Sequence, residues 1–230
     1  MPYSWLLFDA DGTLYDFRAA EASAIAKTFT HLGVEPSPDV TATYREINTR
    51  VWQQLERGEL LPADLGERRF ALIFEALGLD FDPADASARH FVHLSEGSEL
   101  LAGAEALIED LRRDHRLAII TNGLSAVQRP RFAASSIGHR FDPVVISDEV
   151  GVAKPDPRIF DLVFEGMGHP AKDEVLLIGD SLSSDIRGGS NYGLDTVWFN
   201  PQQKTAPSDL SITHQIAALT ELPALVRGEP

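Results

Sequence analysis

Trp5-Leu6-Leu7-Phe8-Asp9-Ala10-Asp11-Gly12-Thr13 is the stretch whose reading decides the fold. The apolar run from Tyr3 through Phe8 reads as a strand buried on both faces, as in parallel sheets, and Gly12-Thr13 ends it. Side chains at i and i+2 of an extended segment project to the same side. Asp9 and Asp11 therefore face one centre where the strand stops, while Ala10 points away. An acidic turn has the same composition, because Asp and Gly are ordinary turn residues. The rest of the chain separates the two readings.

Beyond Thr13 the apolar period becomes helical for about eighty residues, with Tyr44, Ile47, Val51 and Leu55 on one stripe and Phe70, Ile73, Phe74 and Leu77 on another. Ser37-Pro38 opens one helix, Pro62 the next, Gly78 closes that one and Asp82-Pro83 opens another, so four helices are predicted between Phe17 and Gly97. From there helices over 104–113, 125–136, 157–166 and 184–192 alternate with strands over 117–120, 143–146, 175–178 and 196–199. With the first strand this predicts an α/β fold, a doubly wound, five-stranded parallel sheet. Its core is discontinuous, 1–16 and 97–230, with a four-helix cap over 17–96 inserted after the first strand. A closing cap would keep water from a reactive intermediate; a helical domain that merely packs there is the other reading. After Pro201 the chain is polar, then weakly helical over 214–226.

Composition narrows the function. A chain of 230 residues, 43% hydrophobic, can bury one large core or two unequal ones. The 20 basic against 35 acidic side chains leave a net charge of −15, which opposes attraction to nucleic acid or to anionic lipid. A bound phosphate would need a local site where a metal ion or one lysine reverses the field. Without cysteine there is no disulfide, thiol nucleophile or zinc thiolate. No stretch reaches the roughly 18 apolar residues of a membrane span, and the chain opens on a strand rather than a signal segment. A cytoplasmic location is expected.

Three further strand ends carry chemistry. Thr121-Asn122-Gly123 offers a hydroxyl and main-chain N–H groups before a helix, a place for phosphate oxygens, although such a tripeptide is also a routine turn. Lys154 precedes Pro155-Asp156-Pro157, where the chain is stiff. It reads either as a solvated surface charge or as the cation that neutralises a carboxylate and a transferring phosphoryl group. Gly179-Asp180-Ser181-Leu182-Ser183-Ser184-Asp185 repeats the first stretch, with Asp180 as a metal ligand, since magnesium takes a few hard oxygens and keeps several waters. Asp185 either lies behind the ligands or caps the next helix. Open α/β sheets bind ligands at such carboxyl ends.

The ordered set Asp9-x-Asp11-Gly12-Thr13, Thr121-Asn122-Gly123, Lys154-Pro155 and Gly179-Asp180-x4-Asp185 resembles the four motifs of the haloacid dehalogenase (HAD) superfamily of phosphohydrolases, and the helical insertion resembles the small cap of one subgroup. The resemblance implies phosphomonoester hydrolysis in which Asp9 attacks phosphorus to give an aspartyl-phosphate. Asp11 protonates the departing alkoxide and then deprotonates the hydrolytic water. It further implies Mg2+ on the Asp9 carboxylate, the Asp11 main-chain carbonyl and Asp180. Thr121, Asn122, Gly123 and Lys154 are then the phosphate-binding residues, with Thr121 and Lys154 also catalytic.

Ile119–Leu124 with Gln128, the run 145–155, Trp5 and Phe8–Asp11 resemble the pyrimidine 5'-nucleotidase branch, which implies a nucleoside monophosphate substrate. Phe17, Asn48 and Trp52 are the cap residues expected to approach a base or sugar, and Trp52 is equally suited to packing. A phosphatase for a small sugar or hydroxy-acid phosphate, such as phosphoglycolate, is the alternative. A 2-haloacid dehalogenase is more distant, because a halide leaving group needs no acid at Asp11. A phosphate-accepting receiver domain would be about half the size and lack the insertion. A catalytically dead scaffold would be missing motif residues. The expected partner is a small phosphorylated metabolite, a nucleotide, rather than nucleic acid or membrane, bound by a monomer or homodimer.

Overall fold

The structure, a computed structural model, describes residues 3–228, and the chain forms two compact units. Among the described residues, 3–16, Glu99–Ser125 and 132–228 make one; Phe17–Ser98 with Ala126–Arg131 make the other.

The chain enters through strand β1 (Trp5–Phe8) and continues into the helical unit of α1 (Phe17–His31), α2 (Pro38–Glu56), α3 (Leu65–Leu77) and α4 (Pro83–Ser95). The punctuation acts as predicted. Ser37 Oγ accepts from Val40 N at 3.3 Å and Asp82 Oδ1 from Ala84 N at 2.9 Å, satisfying N–H groups that open helix ends leave free, and Gly78 closes α3 at φ 64°. Pro62 opens a single 3-10 turn, Pro62–Asp64, ahead of α3. Ile25, Phe29, Tyr44, Ile47, Val51, Phe70, Ile73 and Phe74 build an apolar core of the unit's own. Arg131, fully buried, ties Ala126–Arg131 into it by donating from Nε to Gly97 O at 2.6 Å and from Nη1 to Gln128 Oε1 at 3.0 Å.

The α/β unit adds α5 (Ala104–Leu111), β2 (Arg116–Thr121), α6 (Ser125–Ala134), which spans into the helical unit, β3 (Val144–Ile146), α7 (Ser147–Val150), α8 (Pro157–Met167), β4 (Val175–Gly179), α9 (Arg187–Tyr192), β5 (Asp195–Phe199), β6 (His214–Ile216) and α10 (Leu222–Arg227). All strand pairs are parallel and the order is β3-β2-β1-β4-β5-β6. Both faces are covered: Leu6, Phe8, Ile119 and Ile178 pack with Leu107, Ile108 and Leu222, while Trp5, Leu7, Ile120 and Leu177 pack with Phe160, Val163 and Met167. Continuous apolar runs in β1, β2 and β4 are the consequence of that double burial.

Three expectations are corrected. The sheet has six strands, not five: His214–Ile216, predicted to begin a weak helix, pairs Val197↔His214 and Phe199↔Ile216 with β5. Three residues are too few to display a two-residue period, and buried Ile216 is the only apolar one among them. Helix in the tail is confined to a 3-10 turn at Leu219–Glu221 and to α10. Ser147–Val150, which no period announced, is a short helix. The helix predicted over 184–192 starts as a π-helical turn, Leu182–Ile186, before α9.

Candidate active site

Register brings the site together. Phe8 lies opposite both Ile119 of β2 and Ile178 of β4, so Asp9, Thr121 and Asp180 all leave the sheet at its carboxyl edge. The strand order reverses between β1 and β4, the crevice in which doubly wound sheets bind ligands. Behind β1 the chain folds into a tight turn, with Leu14 N–Ala10 O at 2.9 Å and Gly12 N–Tyr15 O at 3.0 Å. Gly12 adopts φ 83°, and a Cβ there would stand 2.6 Å from Asp180 Oδ2. Only glycine allows the two acidic loops to approach this closely.

Lys154 is fully buried, which removes the surface-charge reading. Its Nζ donates at 2.7 Å to Asp9 Oδ1, to Asp185 Oδ1 and to the main-chain oxygen of Ile120. All three ammonium donors are thereby used. Burial disfavours the charged amine, but the two carboxylates outweigh it and hold the Lys154 pKa above the usual lysine range. Burial pushes the Asp9 carboxyl well above its ordinary range, with Asp185 and Asp180 adding to the push and Lys154 opposing it. Thr13 Oγ1 donates to Asp9 Oδ2 at 3.2 Å.

The sequence reading gave Asn122 to the substrate. In the structure its amide is occupied by the chain itself, Nδ2 donating to Lys154 O and Oδ1 accepting from Lys154 N, both at 2.7 Å. That two-point clasp fixes the backbone from which Lys154 springs. Thr121 and Gly123 are buried beside it, at the start of the turn into α6.

Asp185 is not a helix cap: Ser181 Oγ accepts from Ser184 N instead, and the buried Asp185 carboxylate is divided between Lys154 and the main-chain N–H of Ser181 at 3.0 Å. Carboxylate oxygens of Asp9, Asp180 and Asp185 lie within 4.8 Å of one another. Asp180 keeps solvent-accessible surface, yet the atoms packed around its carboxyl raise its pKa to about 7, helped by Asp185 and Asp11 and opposed by Lys154. Asp11 is half-buried. Three carboxylates, those of Asp9, Asp180 and Asp185, thus cluster about one ammonium, with Asp11 acting on Asp180. Hard oxygens carrying excess negative charge are the donor set a divalent cation such as Mg2+ takes, so the residues present fit such an ion.

Of the cap residues expected to meet a substrate, Asn48 is committed within the helical unit, its Nδ2 donating to Glu21 Oε1 at 3.1 Å and its Oδ1 accepting from Arg69 Nη1 at 2.9 Å. Trp52 packs half-buried against the apolar core of that unit, and Phe17 lies 6.0 Å from the Arg131 guanidinium. Two roles escaped the sequence reading: that of Thr13, quoted there within the first motif but given no task, and that of Trp198, whose Nε1 donates to Asp180 O at 3.0 Å. A lone indole in a buried strand carries no sequence signal.

A parallel sheet in this order, with an acid pair at β1, a buried lysine and a second acidic loop at β4, defines a class of hydrolase. The chain belongs to the haloacid dehalogenase-like hydrolases, whose family model matches residues 3–193. It is 36% identical over 220 residues to the HAD-hydrolase YfnB of Bacillus subtilis, covering 96% of this chain and 94% of that one. The crystal structure of YfnB bound to magnesium superposes with a TM-score of 0.93 at 34% identity, covering 98% and 99% of the two chains. The chain is 33% identical to the pyrimidine 5'-nucleotidases PynA of Streptococcus pneumoniae, covering 96% and 94%, and YjjG of Escherichia coli, covering 98% and 99%. Among the described residues no helix is long and apolar enough to cross a membrane.

Proposed function

We propose that this phosphohydrolase is a nucleoside 5'-monophosphate phosphatase that works through an aspartyl-phosphate on Asp9. The observation that carries the reaction is the Asp9–Lys154–Asp185 bridge, in which a buried ammonium orients one carboxylate at a strand end while Asp11 stands two residues on. An Asp9 oxygen attacks phosphorus as the ester oxygen leaves with a proton from Asp11. Asp11 then takes a proton from water as the water oxygen attacks the same phosphorus, releasing inorganic phosphate and restoring both acids. Thr121 and the Asn122 and Gly123 main-chain N–H groups hold the phosphoryl oxygens, while Lys154, its donors taken by Asp9, Asp185 and Ile120, offsets the charge of the phosphoryl group beside Asp9, in keeping with the electrostatic character of such catalysis. The Asp9 carboxylate, the Asp11 main-chain carbonyl and Asp180 would hold Mg2+, which would supply charge neutralisation for the nucleophile and the phosphate. Asp185 serves behind them by holding Lys154. The helical unit, Phe17–Ser98, acts as the cap.

Asp11 separates this reading from a dehalogenase, whose leaving group needs no proton. The nucleotide preference draws on the two nucleotidase relatives, which this chain matches over nearly its whole length. A panel of monophosphates assayed with Mg2+ for released phosphate tests it. The expected result is a kcat/KM for pyrimidine nucleoside monophosphates at least about tenfold above that for glycolate or sugar phosphates, a difference of ~1.4 kcal/mol in transition-state binding. Equal or better turnover of the small phosphates would overturn the nucleotide assignment and leave the reaction class standing.

A further inference from the structure

The peptide group between Asp180 and Ser181 is held at both ends by buried side chains. Its carbonyl oxygen accepts from Trp198 Nε1 at 3.0 Å, and its N–H donates to Asp185 Oδ2 at 3.0 Å. Trp198 lies directly opposite Gly179 in the β4–β5 ladder, so the indole reaches past the last paired residue to the first residue of the acidic loop. It is 2% exposed and is among the largest fully buried side chains. Asp185, at the other end of the same peptide, also holds Lys154, which holds Asp9. A continuous path of hydrogen bonds therefore runs from Trp198 through the Asp180–Ser181 peptide and Asp185 to Lys154 and Asp9.

A fixed peptide plane sets the backbone torsion of Asp180 and with it the direction of a carboxylate that has solvent on one side and Asp9, Asp11 and Asp185 around it. Left free, like charges would turn that carboxylate away from the cluster. We propose that Trp198 is a positioning residue for the cation: its indole N–H locks the Asp180–Ser181 peptide so that the Asp180 carboxylate is preorganised for a divalent ion. The inference rests on the cation site proposed above. Residues that orient a metal ligand without touching the metal typically contribute ten- to a hundredfold in affinity, and here the Trp198 bond is one of two on the peptide, which favours the lower figure.

Two measurements on the full chain with Mg2+ alone test it. By calorimetry, Trp198→Phe, which keeps an aromatic ring and removes the N–H, is expected to bind Mg2+ about tenfold more weakly than the wild type. By fluorine NMR of protein labelled with 5-fluorotryptophan, the Trp198 resonance is the one of three that the variant lacks. In the wild type it is expected to shift on Mg2+ addition with the calorimetric midpoint. An affinity in folded Trp198→Phe within about twofold of wild type, or a Trp198 resonance that Mg2+ does not move, overturns the inference. Where that variant fails to fold, the Trp198 resonance is identified instead as the one that persists in both Trp5→Phe and Trp52→Phe, and the second readout decides alone. Wild-type protein that binds no Mg2+ overturns this inference and the cation assignment together, whereas tight binding insensitive to Trp198 overturns this inference only.

Discussion

Each unit of the molecule buries a polar network, and the two differ in how their charges balance. In the helical unit, Glu21 of α1 meets Asn48 of α2, which meets Arg69 of α3, while Tyr44 Oη lies 2.8 Å from His90 Nε2 of α4 and Thr28 Oγ1 3.4 Å from its Nδ1. Every helix contributes, the Glu21 carboxylate is offset by Arg69 and by Arg45 at 3.4 Å, and the guanidinium of Arg69 lies among the rings of Tyr44, Phe70 and Phe91. That network pins four helices in one register. At the strand ends, the carboxylates of Asp9, Asp180 and Asp185 cluster about one ammonium, and burial, with their mutual repulsion added, pushes the pKa values of Asp9 and Asp180 up. Polar groups that answer one another hold a fold; an uncompensated excess of one sign marks the place that meets a charged ligand.

Removing the single cation breaks the contrast most severely. Lys154→Met leaves Asp9 and Asp185 buried without their shared partner; by analogy with broken buried ion pairs it is expected to cost on the order of 3–5 kcal/mol of stability. Turnover is expected to fall by at least about a thousandfold. Urea unfolding and phosphate release measure the two effects. In the helical unit Asn48→Leu strands Glu21 Oε1 and Arg69 Nη1 and is expected to cost about 2–3 kcal/mol, read as a lower urea midpoint at unchanged slope.

The smallest effect is on pH dependence. Burial, aided by the charges of Arg69 and His93, holds His90 well below the usual histidine range. Below about pH 6.5 the unfolded chain takes up a proton at this residue that the folded chain refuses, so stability falls as pH drops, by at most about 1.4 kcal/mol per pH unit. Asp180 acts oppositely: its raised pKa favours proton uptake by the folded state as pH falls through about 7. The wild-type stability minus that of His90→Gln isolates the histidine, and this difference is expected to shrink between pH 7 and pH 5.5.

Legibility in the sequence divides along the same line. Asp9, Asp11, Thr121, Asp180 and Asp185 each follow an apolar strand and Lys154 precedes a stiff proline pair, so short segments announced them, and parallel register alone lines up the strand ends. β6 was hidden because three residues cannot show a period. The tasks of Asn122 and Trp198 were hidden because their partners are main-chain atoms 32 and 18 residues away. Asn48 was misjudged for a similar reason: its neighbours Glu21 and Arg69 come from two other helices. A buried polar residue in a helical stripe looks the same in sequence whether it faces a ligand or another helix.

The nucleophilic role of Asp9 is the central claim, and Asp11→Asn protein given p-nitrophenyl phosphate with Mg2+ tests it most directly. This leaving group departs without a proton, so the first step proceeds while the second, which needs Asp11 to deprotonate water, stalls. The account predicts a burst of about one equivalent of nitrophenolate per enzyme, slow turnover thereafter, and a phosphoryl group on the acid-quenched peptide that contains Asp9. Linear turnover without a burst and with no phosphoryl group at Asp9 would contradict it.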